Sequence, residues 1–225
     1  KKFWKYMKKE LYKRILTSMV LLPIVIVSIF SEAIYFNILL VIVFFVASYE
    51  WFLINNKSYG SFFIGLLIII AAIISAHILK GNNQDSQIYF LWLLTVVFFS
   101  DIGGYIFGKT IGGRKLTNIS PSKTISGTVG SFIFSTFPIF IIYILDNLEM
   151  VSFGQLVLSG KTFILSLIFS LVSQIGDISV SYFKRKNNLK DSGNILPGHG
   201  GLLDRIDGLI FLLIFSAILK FLKVI

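Results

Sequence analysis

Between Ser181 and Asp207 the chain reads SYFKRKNNLKDSGNILPGHGGLLDRID, which holds five of the 21 basic residues and three of the 11 acids. Lys184, Arg185, Lys186 and Lys190 form a cationic face beside Asp191, a pattern suited to neutralising phosphate oxygens. Pro197-Gly198-His199-Gly200-Gly201 is a tight segment with little side-chain bulk, so a ligand can approach its backbone. His199 fits three roles: a ligand contact, an acid or base, or a structural hydrogen-bond donor. Asp204 and Asp207, spaced by three, share one face if a helix has already begun there, with Arg205 beside them. The simpler alternative for these two acids is helix capping and dipole compensation.

Three further acids, Glu50, Asp101 and Asp177, fall inside apolar runs, where an ionisable group is costly and points to function. Asp101 sits in SDIGGY and Asp177 in QIGD, each beside glycine. Either an interhelical hydrogen bond or a shared polar cavity open to the cytoplasm accounts for them. Glu50 precedes Trp51 and reads as an interfacial Glu-Trp pair. Asp101, Asp177, Asp204 and Asp207 are enough for Mg²⁺, which takes few carboxylates and fills its shell with water and phosphate. The chain has no cysteine and only two histidines, His77 and His199, so it offers no zinc cluster.

A second polar stretch reads GKTIGGRKLTNISPSKTISG. Its glycine-rich turn could cradle phosphate, with Lys109, Arg114, Lys115 and Lys123 supplying charge. It is not a Walker A loop, and a basic loop at a membrane surface is common on its own account.

The elements that must position these residues are apolar. Of 225 residues, 55% are hydrophobic and 14% charged, against about a quarter charged in soluble domains. Mean hydropathy is +0.82. The pattern predicts an all-α, polytopic integral membrane protein with about seven transmembrane helices and a cytoplasm-facing polar catalytic cavity. The runs are 15–30, 34–53, 61–79, 88–107, 128–145, 162–183 and 209–225, the first short and containing Pro23. It is close enough to the second to pair with it as a hairpin. With the N-terminus inside, the cytoplasmic segments 1–14, 54–60, 108–127 and 184–208 hold 7, 1, 4 and 5 basic residues, and four remain for the other side. That 17-to-4 division sets the orientation in the cytoplasmic (inner) membrane. The organisation expected is a basic interfacial segment 1–14, N-terminal transmembrane helices over 15–100, and a catalytic region over 101–225 with cytoplasmic loops 108–127 and 184–208. The basic, aromatic start reads as an anchor in the headgroup region of the bilayer, or more sharply as a binder of anionic lipid. Because it abuts a membrane segment, it argues against nucleic acid. No small-residue cleavage site follows the first apolar run, so a typical cleavable signal peptide is not expected.

Ser181, Lys184, Arg185, Lys190, Asp191, then Pro197-Gly198-His199-Gly200-Gly201, then Asp204-Arg205 and Asp207, resemble the signature of the phosphatidate cytidylyltransferases (CDP-diacylglycerol synthases). Gly176-Asp177 matches the Gly-Asp that heads this region. Asp101, Tyr105 and Gly108 resemble the family's Asp-x-x-x-Tyr-x-x-Gly element. Ser120-Pro121, Lys123-Thr124 and Gly127 resemble its Ser-Pro-x-Lys-Thr-x-x-Gly element. Two positions depart: Ser126 and Val180 stand where the family usually has glutamate. The chain is also shorter than typical members.

The resemblance implies that CTP and phosphatidate give CDP-diacylglycerol and pyrophosphate, with Mg²⁺ and room for a second cation, in a membrane-embedded homodimer. It implies Asp177 and Asp204 as metal ligands, with Asp207 and Asp101 nearby. Lys123, Lys184, Arg185, Lys190 and Arg205 would take phosphates. Thr124, Ser181, Asp191, Pro197, Gly198, His199, Gly200 and Gly201 would line the substrate pocket. A cytidylyltransferase of another lipid phosphate, ether or isoprenoid, is the neighbouring reading. A transporter is the alternative from another class, but it predicts carboxylates accessible from both faces. The polar residues here are one-sided. The CDP-alcohol phosphotransferase pattern D-G-x-x-A-R is absent.

Overall fold

The structure, a computed structural model, describes residues 2–55, 59–117, 119–147, 158–198 and 200–224. It contains α1 (Lys2–Phe30), α2 (Ala33–Asn55), α3 (Tyr59–Lys80), α4 (Gln84–Thr110), α5 (Ile125–Ser135), α6 (Phe137–Asn147), α7 (Gly160–Lys186) and α8 (Leu203–Phe221). Among the described residues the only β pairing is two isolated bridges, Lys115 with Thr124 and Leu196 with Gly200.

Each predicted apolar run lies mostly in helix among the described residues. Among the described residues six spans are long and apolar enough to cross a membrane: Tyr12–Phe30, Ala33–Asn55, Tyr59–Lys80, Gln84–Thr110, Ile125–Ile144 and Gly160–Lys186. The chain is a polytopic membrane protein. The seventh run differs because α8 starts at Leu203 and takes Asp204, Arg205, Asp207 and Lys220 into its 19 residues. The fifth run is broken. Pro138 has no N–H to continue the ladder, and Thr136 N–H turns back to the Ile133 carbonyl at 3.3 Å, ending α5.

The chain forms two compact units, Lys1–Ile73 with Phe183–Ile206, and Ile74–Tyr182 with Asp207–Ile225. In the first, α1 and α2 form the expected hairpin, linked through Ser31 and Glu32. Pro23 lies within α1. Large apolar side chains such as Met19, Phe45 and Leu67 are exposed along α1, α2 and α3, which suits helices in lipid. Trp51 is buried and donates to the carbonyls of Ser61 and Phe62. A side chain on Gly65 would overlap the Trp51 ring.

The second unit has a core of Trp92, Leu93, Val96, Phe169 and Leu212. The Trp92 and Phe169 rings lie 5.4 Å apart. Hydroxyls meet in pairs inside it: Tyr89 with Ser216 and Ser100 with Ser170, both at 2.7 Å. Lipid offers polar groups no partner, so each such pairing inside the protein is stabilising. The backbones of α4 and α5 approach closely. A Cβ on Gly130 would lie 2.5 Å from the Gly103 carbonyl and from Phe107 Cβ, and one on Gly127 would lie 2.9 Å from the Gly104 carbonyl. Small residues permit this packing in membrane helices.

Candidate active site

In the second unit the site residues come from the bend before α5 and from α7. Backbone pairing shapes the bend: Leu116 N–H reaches the Lys123 carbonyl at 2.8 Å, and Ile125 N–H reaches the Arg114 carbonyl at 3.0 Å. Thr124 caps α5, accepting from Gly127 N–H at 3.1 Å. This bend carries Lys123 to Asp177, where Nζ lies 2.5 Å from Oδ2. Asp177 Oδ1 accepts the Ser181 hydroxyl one helical turn along, at 3.3 Å. The Asp177 side chain keeps 33% exposure, so its carboxylate remains open to a ligand. Gly176 beside it lets α7 pack on α8, since a Cβ there would lie 2.9 Å from the Asp207 carbonyl.

Other predicted residues of this unit make contacts of their own. Asp207 is buried, and its Oδ1 accepts the N–H of Gly208 at 2.8 Å. Asp101 is exposed on α4. Lys109 stays on its own helix, donating to the Tyr105 hydroxyl at 3.1 Å. Ser126, one of the two departures from the signature, hydrogen-bonds the Gly112 carbonyl and the Thr124 hydroxyl, tying the glycine turn to α5. Val180, the other, is buried.

The first unit holds a denser arrangement. Helix α7 ends in a reverse turn. Leu189 N–H bonds the Lys184 carbonyl at 2.8 Å, and Asn188 takes a left-handed φ of 59°, the pattern of a Schellman stop. That stop places Lys184 Nζ 2.6 Å from Asp204 Oδ1. Asp204 Oδ2 accepts the N–H of Ser192 at 2.8 Å and that of Gly201 at 3.2 Å. Burial pushes the Asp204 carboxyl up, but the hydrogen bond from Lys184, the N–H of Ser192, the Lys184 charge and the N–H of Gly201 outweigh it. The net effect holds it below its ordinary value.

Pro197 and Gly198 lie in a turn closed by the pairing of Leu196 with Gly200, and Gly198 and Gly200 have φ of 78° and 87°. Glycine takes such angles without the steric cost of a Cβ. His199 lies outside the described residues. Arg185 donates to the Leu189 carbonyl at 3.0 Å, and Lys190, Asp191 and Arg205 are exposed.

Three residues that sequence reasoning left outside the site reach this loop. Arg14 Nε donates to the Gly198 carbonyl at 2.7 Å, and the Thr17 hydroxyl to the Pro197 carbonyl at 3.5 Å. Glu50, expected at an interface with Trp51, is instead fully buried against residues 192–203. Its one sequence signal was an acid within an apolar run.

Asp177 is partly exposed and partnered by an ammonium, which suits a hard oxygen ligand. Asp204 has spent Oδ2 on backbone N–H groups and retains lone-pair capacity at Oδ1. Among the described residues no three His, Cys, Asp or Glu side chains cluster for a metal. Each carboxylate taken by itself suits Mg²⁺, which takes few carboxylates and keeps water and phosphate in its shell.

Residues 55–222 match the sequence model of the cytidylyltransferase family. A phosphatidate cytidylyltransferase of Rickettsia bellii is 37% identical over 206 residues, covering 90% of this chain and 87% of that protein. One of Rickettsia conorii is 35% identical over 219 residues, covering 95% and 92%. One of Staphylococcus haemolyticus is 40% identical over 136 residues, covering 59% and 49%.

Proposed function

The chain belongs to the cytidylyltransferase family, and on that footing we propose that it is a phosphatidate cytidylyltransferase. The observation that carries this is the similarity to the Rickettsia enzymes along nearly the whole of both chains. The polar residues of the 176–207 region support it.

In the proposed reaction an oxygen of the phosphatidate phosphate attacks the α-phosphorus of CTP. A new P–O bond forms. The bond from that phosphorus to the bridging oxygen of the β-phosphate breaks, and pyrophosphate leaves with the electron pair. A phosphomonoester is already ionised near neutral pH, so no strong base is needed. The barrier lies in bringing two anions together, which preorganised cations lower by charge stabilisation and positioning.

In the first unit Lys184, Arg185, Lys190 and Arg205 would hold phosphates. In the second Lys123 would do so, and Ser181 would orient the Asp177 carboxylate. Mg²⁺, when bound, would neutralise the triphosphate and the leaving pyrophosphate. Asp177 and Asp207 in the second unit and Asp204 in the first each offer a carboxylate suited to such an ion. Each lysine now paired to one of them would turn to a phosphate oxygen.

The 17-to-4 division of basic residues supports a cytoplasmic N-terminus and cytoplasmic loops 108–127 and 184–208. CTP and the phosphatidate headgroup would meet at that face. The homodimer that the resemblance implies is part of the proposal, and a single-chain mass for the active detergent-solubilised enzyme would remove it.

Purified protein incubated with phosphatidate, labelled CTP and Mg²⁺ should yield CDP-diacylglycerol and pyrophosphate. EDTA should abolish both, and added Mg²⁺ should restore them. A folded sample that makes no product overturns the reading.

A further inference from the structure

Glu50 is 0% exposed, yet it is a carboxylate inside an apolar helix. Its oxygens are fully engaged by residues far along the chain. Oε1 accepts the N–H of Leu202 at 2.9 Å. Oε2 accepts the N–H of Leu203 at 2.7 Å and the Ser192 hydroxyl at 2.9 Å. The two N–H groups lie at the start of α8, where no preceding turn supplies an acceptor.

Two glycines make the space for it. A Cβ on Gly193 would lie 3.0 Å from Glu50 Oε1, and one on Gly201 would lie 2.7 Å from Oε2 and overlap the Ser192 hydroxyl. Ser192 is shared between two carboxylates: its hydroxyl goes to Glu50 and its N–H to Asp204. The same backbone run therefore fixes Glu50 on one side and Asp204 on the other. Asp204 in turn holds the Lys184 ammonium.

We infer that Glu50 is a positioning residue. Through Ser192 and the first turn of α8 it sets the direction in which Asp204 and Lys184 are presented. This rests on the reading of Asp204 and Lys184 as residues of the proposed nucleotidyl transfer. Glu50 touches no substrate and acts only through them. A glutamine keeps the size of Glu50 but offers one acceptor oxygen and an N–H₂, which opposes the donors of Leu202 and Leu203. One buried donor then loses its partner. The segment shifts, and the cost falls on the chemical step rather than on lipid binding.

The full chain is assayed in detergent at a temperature where every variant is folded. Glu50→Gln should lower kcat by about tenfold to a hundredfold and leave KM for phosphatidate within about twofold. Glu50→Asp, which keeps the charge, should recover part of the loss and serves if the glutamine variant fails to fold. Ser192→Ala added to Glu50→Gln should cost less than Ser192→Ala alone, because the Ser192 hydroxyl is one of the three contacts that hold Glu50. Tyr89→Phe, which removes a hydroxyl contact in the other unit, controls for general weakening and should keep kcat as its thermal midpoint falls. Loss of kcat that only follows the thermal midpoint across all variants, or additive losses in the double variant, would overturn the inference. Amide hydrogen exchange, read without substrate, supplies a second arm. Exchange at Ser192 and at Gly201 to Leu203 should quicken at least about tenfold in Glu50→Gln, and unchanged exchange there also overturns the inference. A wild-type protein that makes no CDP-diacylglycerol sinks the reaction instead, and the exchange result alone then decides whether Glu50 fixes this segment.

Discussion

Lys123 Nζ and Asp177 Oδ2 lie 2.5 Å apart, joining the bend before α5 to α7. Both side chains keep some exposure, and Ser181 shares the carboxylate. If this carboxylate serves the proposed transfer, Asp177→Ala should lower turnover by at least about 10², on the order of 3 kcal/mol of transition-state stabilisation, with membrane insertion intact. Lys123→Ala should mainly raise KM for CTP. Steady-state kinetics on reconstituted enzyme measure both, and near-normal turnover in Asp177→Ala removes it from the site.

The Lys184–Asp204 pair is more enclosed, and the backbone holds its acid from two more directions. Removing one partner strands the other. Lys184→Met should destabilise the protein by about 2–3 kcal/mol, and pairing it with Asp204→Asn should return part of that. The thermal midpoints of the two single variants and the double variant form the cycle. Additive losses would mean the two charges do not support each other.

The lowered carboxyl of Asp204 carries a pH signature. Its folded value lies below the ordinary 3.8, so the folded state holds its charge more strongly than the unfolded chain does. The stabilisation is fully present above 3.8 and fades as pH falls below that point through the folded value. The advantage of wild type over Asp204→Asn in thermal midpoint should be constant at mildly acid pH and should shrink below it. A gap that stays constant throughout would show that the charge on Asp204 does not matter.

At the α4–α5 contact the missing side chain is itself the packing device. Gly130→Ala would place a methyl 2.5 Å from the Gly103 carbonyl and should cost about 1–3 kcal/mol. Gly60→Ala, which meets nothing within 4 Å, should leave the thermal midpoint unmoved. Equal midpoints for the two variants would argue against the close approach of these helices.

Local pattern carried much of this architecture. The apolar runs marked the helices, and the acids flanked by glycine marked Asp177. What escaped the sequence was long-range. The partners of Glu50 lie 142 to 153 residues away, and nothing beside Glu50 names them. An adjacent tryptophan suggested a membrane-interface pair, whereas tertiary packing turned the carboxylate inward. Gly103 and Gly104 drew attention as neighbours of Asp101, but their use is to let α5 come close. The break at Thr136 was readable from Pro138, yet apolarity continues through it and masked it. The start of α8 at Leu203 was hidden by the charges of its first turn, which break hydropathy without breaking the helix.

The amino end of α8 has one further consequence. Backbone N–H groups at a helix start are a common resting place for phosphate. Here those of Gly201, Leu202 and Leu203 already hold Asp204 and Glu50, so the protein's own carboxylates occupy the berth a nucleotide would use. Under the proposed reaction, recognition at this end falls to long, movable cations. Those contacts weaken with added salt and are lost with a single lysine or arginine, whereas a backbone cradle would be indifferent to such a substitution.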